Sequence, residues 1–290
     1  MSVFRSTTIL DSIRNRLKAT RESKRMKTVI HVWTHDICNY VVTPLYARFG
    51  LGDSLRGAIG VLQYCEKRGY QCIIDTSLHP LSQLLVSPVH PYSDLIQANK
   101  GNIKGIFSEV EQFIESELQN EDVVFFFSNF GLSVYDQPPT PFVLSAIQKV
   151  LTFQPAFAAY VDAKLHSVPY TSFSVVHFRL GDGDLICGET SSQHDRYIKM
   201  LEAVSEPGQI LLSDSSRFKD SVKGSVFTFD EPVSHVGYHT EREGLQHTLF
   251  EFILVTRAKH IRTFSIYGWT SGFVKSASYI FGVPLTAIDQ

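Results

Sequence analysis

The sequence has few cysteines, and their spacing excludes the common cysteine-based sites. Its 290 residues include four, Cys38, Cys65, Cys72 and Cys187, with no C-x-x-C pair and no zinc-ligand spacing. In a chain of this length, that pattern indicates a reducing compartment in which cysteines serve as small core residues. A disulfide framework and a structural zinc site are therefore not expected.

Net charge and long apolar runs are also scarce. The 27 basic and 29 acidic residues give a net charge of −2, so the chain has no basic field to attract nucleic acid. No apolar run approaches the roughly 20 residues that span a bilayer, and no signal-peptide pattern is visible. We therefore expect a cytoplasmic protein without a nucleic-acid partner, whose oligomeric state the sequence does not indicate.

Residues 1–27 differ from the rest of the chain because they are dense in Arg and Lys. Apolar residues fall partly at helical spacing within them. One interpretation is a basic amphipathic helix that contacts an anionic membrane surface, which would make the protein membrane-peripheral. The other is a solvated N-terminal helix or arm.

The chain then shows two successive series of apolar strands and amphipathic helices. The first predicts strands within 27–35, 70–77 and 122–130 and helices within 53–69 and 106–118. A Pro-rich break at 135–141 and a helical stretch at 141–165 lead to the second. That series predicts strands within 172–181, 208–216, 224–230 and 260–268 and helices within 194–206, 245–258 and 271–282. Continuous apolar strands alternating with helices are typical of parallel sheets covered on both faces.

We therefore predict an α/β protein with two doubly wound domains that face a cleft. The boundaries we expect are 28–155 for the N-terminal domain and 156–290 for the C-terminal domain.

The strand at 172–181 carries polar residues where it ends. His177 and Arg179 are two apart and so share one face of the strand. Ligands of open parallel sheets collect beyond the carboxyl ends of strands, and a guanidinium there suits phosphate oxygens. The alternative is an Arg179 that pairs with a carboxylate elsewhere in the core.

A second candidate anion site is the glycine loop "RFGLGDSLRG" at 48–57, which opens a predicted helix. Backbone N–H groups and the helix dipole favour phosphate at such a position. Gly50, Gly52 and Gly57 do not have the G-x-G-x-x-G spacing of a dinucleotide fingerprint. That absence argues against a nucleotide-dependent oxidoreductase, which two such domains could otherwise host.

The segment "HFRLGD" resembles the HxRxGD signature of the fucosyltransferase superfamily, which includes nodulation, core α-1,6-, α-1,2-, plant cell-wall and protein O-fucosyltransferases. His177, Arg179, Gly181 and Asp182 match that signature. The resemblance implies two Rossmann-like domains in a GT-B fold and an arginine on the β-phosphate of GDP-fucose. It also implies a donor bound mostly by the C-terminal domain, an acceptor bound by the N-terminal domain, and no required metal or other cofactor.

Two more segments are similar to the same family. The loop at 48–57 resembles its N-domain glycine loop, which implies donor contacts from Gly50 and Gly52. The C-terminal end resembles the family's Ser/Thr-rich turn and following helix, which bind the donor pyrophosphate. In this chain, the residues of that turn and helix start are Thr270, Ser271, Gly272 and Phe273. Thr270 and Ser271 are also suited to cap the last helix.

The chain departs from the family at Leu180, where several members carry a second basic residue. One phosphate contact would then be missing, which leaves the donor open between GDP-fucose and another nucleotide sugar such as UDP-xylose. Asp214 follows a predicted strand near the nucleoside site that the resemblance implies. It is suited either to the guanine edge or a ribose hydroxyl, or to an Asx-turn.

An inverting glycosyl transfer needs a base for the acceptor hydroxyl, and carboxylates are the usual choice. The candidates in order are Asp53, Asp184 and Asp182, with Glu189 also near the predicted cleft. Arg179 and the start of the last helix would stabilise the leaving diphosphate.

Three alternatives remain open from the residues alone. Asp182 and Asp184 form a D-x-D, which in GT-A glycosyltransferases binds Mn²⁺ or Mg²⁺ through hard carboxylate oxygens. A protein that binds nucleotide sugars or glycans without turnover would keep Arg179 and lack a competent base. Finally, Trp33 and Trp269 either stack on sugar rings or pack in the core.

Overall fold

The computed structural model describes residues 26–39, 49–86, 89–131, 137–181, 193–238 and 241–289. Most of the basic N-terminal segment lies outside these ranges, as do Asp182, Asp184, Glu189 and Cys187. The two interpretations of the N-terminal segment therefore remain predictions.

The N-terminal lobe contains a parallel sheet of order β2-β1-β3. Its strands are β1 (Thr28–Val32), β2 (Gln71–Asp75) and β3 (Val123–Phe126), and its helices are α1 (Leu51–Arg68), α2 (Ser93–Ala98) and α3 (Val110–Asn120), with a 3₁₀ turn at Pro80–Gln83. Every residue of β1 is buried, because this central strand is covered on both faces. Helix α1 ends at Gly69, whose φ of 70° suits a glycine and whose N–H bonds the carbonyl of Glu66.

The C-terminal lobe contains a parallel sheet of order β5-β4-β6-β7. Its strands are β4 (Ser174–Arg179), β5 (Gln209–Ser213), β6 (Ile261–Ser265) and β7 (Leu285–Ala287). Helices α4 (Pro141–Val150) and α5 (Pro155–His166) precede it, and α6 (His194–Val204), α7 (Ser216–Ser221), α8 (Arg242–Arg257) and α9 (Gly272–Phe281) follow its strands. The prediction of an α/β protein with two Rossmann-like domains facing a cleft, as in a GT-B fold, is confirmed.

One sequence-based expectation at the level of single elements was wrong. Residues 224–230 do not form a strand of the sheet and pair with it only at an isolated bridge, Ile210 with Phe227. The helical stretch expected at 141–165 is confirmed and consists of two helices, because Pro155 starts a new helix at its first position and cannot continue the one before. The sequence also missed the short elements α2, α7 and β7. The domain boundary at 155/156 stays a prediction.

The two lobes meet where the N-termini of α1 and α9 approach each other. A Cβ placed on Gly52 would lie 2.5 Å from the carbonyl carbon of Gly272 and 2.6 Å from the nitrogen of Phe273. One apolar core runs through both lobes, since Leu55 and Ile59 of α1 belong to the same buried cluster as Val274 of α9. The lobes are therefore held together by backbone contact that only a glycine permits.

Gly57 explains the unusual glycine spacing of the 48–57 loop. A Cβ at this position would lie 1.7 Å from the carbonyl oxygen of Ser128, just beyond β3. The third glycine of the loop therefore allows α1 to pack closely against the sheet, and it is not part of a dinucleotide fingerprint.

Two further expectations from the sequence concern the position of the cysteines and the absence of membrane-spanning helices. The cysteines were expected in the core; Cys65 is buried and Cys72 half-buried, but Cys38 is exposed, because it lies in the loop beyond β1. Among the described residues, none of the helices combines the length and apolar character that crossing a bilayer would require.

Candidate functional site

A cavity of about 340 Å³ lies between the lobes, at the carboxyl ends of β4, β5 and β6. Ten of its lining residues are the described members of the site predicted from the sequence. They are Gly50, Gly52, Asp53, His177, Arg179, Asp214, Thr270, Ser271, Gly272 and Phe273. Residues that are more than two hundred positions apart in the chain thus share one cavity, as ligand sites of parallel sheets do.

Arg179 ends β4 and is bound to a carboxylate. Its Nη1 donates to Oδ2 of Asp214, and the two side chains are only 18% and 10% exposed. Arg179 therefore does pair with a carboxylate, which was the alternative to phosphate binding. Both residues of the pair also line the cavity. Pairing and ligand binding are compatible here, because a guanidinium carries five N–H donors and one carboxylate engages only some of them.

Asp214 organises the end of β4. Its Oδ1 accepts the N–H of Leu180 at 2.6 Å, and its Oδ2 accepts the N–H of Gly181 at 3.0 Å. Burial raises the pKa of the Asp214 carboxyl, while Arg179 and these two N–H donors oppose the rise. The Asp214 carboxylate thus contacts the backbone just beyond β4 and not the backbone of its own turn, as an Asx-turn would require. It is also not directed wholly toward a ligand.

His177 lies on the same strand face as Arg179 and is buried beside the cavity. Its Nδ1 lies 3.0 Å from Oγ1 of Thr263, and its ring stacks on Phe273 with centroids 6.3 Å apart. Burial, reinforced by Arg179, lowers the pKa of His177 to about 3. The imidazole is therefore neutral at physiological pH and suited to packing and hydrogen bonding rather than to charge neutralisation.

Two helix N-termini border the cavity from opposite lobes. Helix α1 is capped by Gly50 and α9 by Ser271, and neither cap residue uses a side-chain hydrogen bond to its helix. Gly52 and Gly272 bring the two starts into contact. The first N–H groups and the positive dipole ends of both helices thus meet at one place, which favours a bound anion.

Asp53, the first base candidate, already has partners. Its Oδ2 accepts the N–H of Gly50 at 3.2 Å, and its Oδ1 accepts from Nη2 of Arg56 at 2.8 Å. The side chain remains about a third exposed and lines the cavity. Both oxygens of the Asp53 carboxylate are thus engaged by the loop and by Arg56, so the structure gives Asp53 a role in shaping the loop as well.

Arg56 is a cavity residue that the sequence analysis missed. Its Nε donates to the carbonyl of Asn129 at 2.6 Å while its Nη2 holds Asp53. It faces the cavity from the N-terminal lobe, opposite Arg179. Leu180, where the family often has a second basic residue, is buried in an apolar cluster. Among the residues that the structure describes, a second arginine in the cavity lining therefore comes from the other lobe.

Glu251 is a second missed residue. It lies on α8 in the wall of the cavity, and burial raises its pKa to about 7, with Lys219 lowering it and Asp214 raising it less strongly. One signal in the sequence could have found it. It is the lone charged residue in the apolar run "TLFEFILV" at 248–255. A carboxylate in such a run is costly to bury, so it indicates a partner or a functional site.

The two tryptophans have opposite environments. Trp33 is fully buried in the core, whereas Trp269 is 67% exposed and lines the cavity. The core interpretation therefore holds for Trp33 alone. Trp269 stacks on Tyr267 with ring centroids 5.3 Å apart and an interplanar angle of 20°.

Solved fucosyltransferase structures share this fold. Fucosyltransferase NodZ from Bradyrhizobium has a TM-score of 0.53 at 16% identity, over 91% of this chain and 96% of that chain. NodZ alpha-1,6-fucosyltransferase co-crystallized with GDP has a TM-score of 0.53 at 18% identity, over 91% and 95%. A variant of Arabidopsis thaliana FUT1 in complex with GDP has a TM-score of 0.56 at 11% identity, over 96% and 74%.

No protein-family model matches the sequence, and no curated protein sequence is significantly similar to it. At such low identities, the structural likeness establishes the fold alone. The correspondence of single residues to the HxRxGD signature stays a prediction.

Proposed function

We propose that this protein is an inverting glycosyltransferase that transfers fucose from GDP-fucose to a hydroxyl group of its acceptor. The observation that carries the proposal is the cavity between the lobes. There, two opposed helix N-termini and Arg179 surround one volume, in a fold shared with fucosyltransferases. This arrangement suits a diphosphate flanked by a nucleoside on one side and a sugar on the other.

In this proposal, the diphosphate lies at the N-terminus of α9, with backbone N–H groups from Gly272 and Phe273. Arg179 neutralises charge that grows on the β-phosphate as the sugar leaves. Arg56 supplies the second cation from the N-terminal lobe. Because each lobe contributes a cation and a helix start, the leaving group is bound fully only when the lobes are in contact.

The reaction itself needs one proton acceptor. The acceptor oxygen attacks the anomeric carbon, the bond from that carbon to the β-phosphate oxygen breaks, and the hydroxyl proton passes to a base. Asp53 remains the first candidate for that base, since it lines the cavity from the lobe expected to bind the acceptor. Asp184 and Asp182 remain the second and third candidates.

Glu251 suits the purine end of the donor. Guanine presents an N–H and an NH₂ donor side by side, and an ionised carboxylate accepts from both. Glu251 and Thr248 lie on α8 and line the cavity, as does the exposed Trp269. In this proposal, the base lies at these two α8 residues, the diphosphate at the helix starts and the fucose toward Trp269.

Binding of nucleoside diphosphates tests the proposed donor. We expect GDP to bind at least tenfold more tightly than UDP in isothermal titration calorimetry with EDTA present, since guanine has the two donors that Glu251 can accept. GDP-fucose should turn over to GDP and transferred or free fucose under the same conditions. A preference for UDP would reject the proposed donor, and activity abolished by EDTA would favour metal binding through Asp182 and Asp184.

The pH dependence of GDP binding tests Glu251. A carboxyl with a pKa of about 7 is mostly protonated at pH 6, so affinity should fall about tenfold from pH 8 to pH 6. Glu251→Gln should weaken binding about thirtyfold at pH 8 and remove the part of the pH dependence that belongs to this residue. Titration of the GDP phosphate is common to both proteins and cancels in the ratio of their affinities.

The matched control is Glu243→Gln, on an exposed position of the same helix. It should bind GDP like the parent protein at every pH. Equal pH profiles for Glu251→Gln and the parent would reject the assignment of Glu251 to the base.

A further inference from the structure

The turn between β6 and α9 presents a fixed aromatic surface at the mouth of the cavity. Trp269 is 67% exposed, and Tyr267 lies parallel behind it. The guanidinium of Arg179 lies 5.7 Å from the centroid of the Tyr267 ring, and the Tyr267 N–H donates to Oγ of Ser265. Tyr267 is thus anchored on the donor-site arginine, and Trp269 is anchored on Tyr267.

Such exposure of a tryptophan needs an explanation, because its large apolar surface is normally covered. The turn is built to present the ring outward. Gly268, between the two aromatic residues, has φ of 71°, and a Cβ there would meet nothing within 4 Å. The backbone therefore reverses at an open position, and Trp269 faces solvent instead of the core.

The position of the ring relative to the diphosphate site argues for a particular occupant. Trp269 lies two residues before Ser271, the cap of α9, and it lines the cavity while remaining mostly exposed. Glu251 and Thr248 supply polar groups for a nucleobase elsewhere in the wall. An exposed ring in the cavity lining, beside the helix start proposed for the diphosphate, is accessible to an acceptor that enters from solvent.

We propose that Trp269, backed by Tyr267, stacks on a pyranose ring of the acceptor and that the acceptor is therefore a glycan. The C–H face of a pyranose is apolar and packs on an indole, while its equatorial hydroxyl groups point sideways to polar partners. Asp53, from the opposite lobe, lines the same cavity and is suited to be such a partner. This inference rests on the proposed function and adds the acceptor class to it.

The fluorescence of the protein reports on this surface directly. The chain has two tryptophans, and Trp33 is fully buried, so quenching by acrylamide reports mainly on Trp269. The probes are GDP alone and tetrasaccharides of glucose, N-acetylglucosamine, galactose and xylose, each with and without saturating GDP. We expect at least one tetrasaccharide to reduce the quenching constant about twofold or more, and GDP alone to leave it nearly unchanged.

Variants separate stacking from general apolar contact. Trp269→Ala should raise the KM for the protecting glycan at least about tenfold, and Trp269→Phe, which keeps an aromatic face, about threefold. Affinity for GDP, measured by calorimetry, should change by less than about twofold in both. Phe142→Ala, which removes another exposed aromatic ring outside the cavity lining, should leave the glycan KM unchanged.

Each of the remaining outcomes would contradict one stated part of the proposal. Protection of Trp269 by GDP alone, with GDP affinity lost in Trp269→Ala, would make the ring a nucleobase platform and reject the glycan inference. GDP binding without protection by any tetrasaccharide would also reject it. Glycan protection in a protein that fails to bind GDP would support the platform and reject the proposed donor instead.

Discussion

Arg179→Ala is expected to lower the affinity for GDP by at least about a hundredfold and to abolish measurable fucose transfer. The side chain lines the cavity from the C-terminal lobe, and hydrogen bonds from a charged donor to phosphate are stronger than neutral ones. Arg179→Lys keeps the charge without the planar fork, so we expect an intermediate loss. Calorimetric titration with GDP measures both effects.

The same substitution should also destabilise the protein. Removing the guanidinium leaves Asp214 buried without its charged partner, which costs roughly 3 kcal/mol in comparable pairs. The double variant Arg179→Ala/Asp214→Asn removes the orphaned charge and should recover part of that free energy of unfolding without recovering GDP binding. If Arg179→Ala binds GDP within about threefold of the parent protein, Arg179 acts only as the partner of Asp214, and the phosphate-clamp role is wrong.

Gly52→Ala is expected to destabilise the protein by about 3 kcal/mol and to weaken GDP binding strongly. The new Cβ would lie 2.5 Å from the backbone of Gly272, which belongs to a helix and cannot move aside like a side chain. Helices α1 and α9 would have to separate. Since both helix starts line the cavity, their separation would disrupt the proposed diphosphate site.

Gly272→Ala is the matched control, because it changes the other member of the same contact. A Cβ on Gly272 would lie 3.6 Å from its nearest neighbour in Gly52, an ordinary van der Waals distance. Its free energy of unfolding in urea should stay within about 0.5 kcal/mol of the parent value. Equal stability of the two variants would mean that the lobes adapt to the extra methyl group, and the tight inter-lobe contact would then not be a requirement of the fold.

The strands and long helices followed from the sequence because their signals are local. Burial of a parallel strand on both faces favours a mostly apolar run, and β1, β4 and β5 each contain one, although His31 interrupts β1 and His177 interrupts β4. The segment 224–230 shows a similar pattern but pairs only at isolated bridges. Apolar alternation indicates burial, and it cannot tell whether a neighbouring strand edge is within reach.

The site was predicted in part for a similar reason. Arg179 and Asp214 lie near the ends of predicted strands and the start of α9 follows another, and the carboxyl ends of parallel strands converge at one edge. Arg56 lies inside a helix, where the chain carries no comparable marker of an inward-facing site residue, and Glu251 lies inside another, where the apolar run around it is the one local marker. Their function depends on which face of α1 and α8 the other lobe and the cavity occupy.

The sequence by itself determined the α/β class, the two parallel sheets and the candidate anion-binding segments, because hydrophobic periodicity and glycine positions are local properties of the chain. The tertiary structure decided how those segments serve one cavity. It paired Arg179 with Asp214, tied Asp53 to Arg56, buried Trp33 and exposed Trp269, and joined two helix starts through Gly52. These properties depend on distances between residues far apart in the chain, and only packing of the two lobes sets those distances.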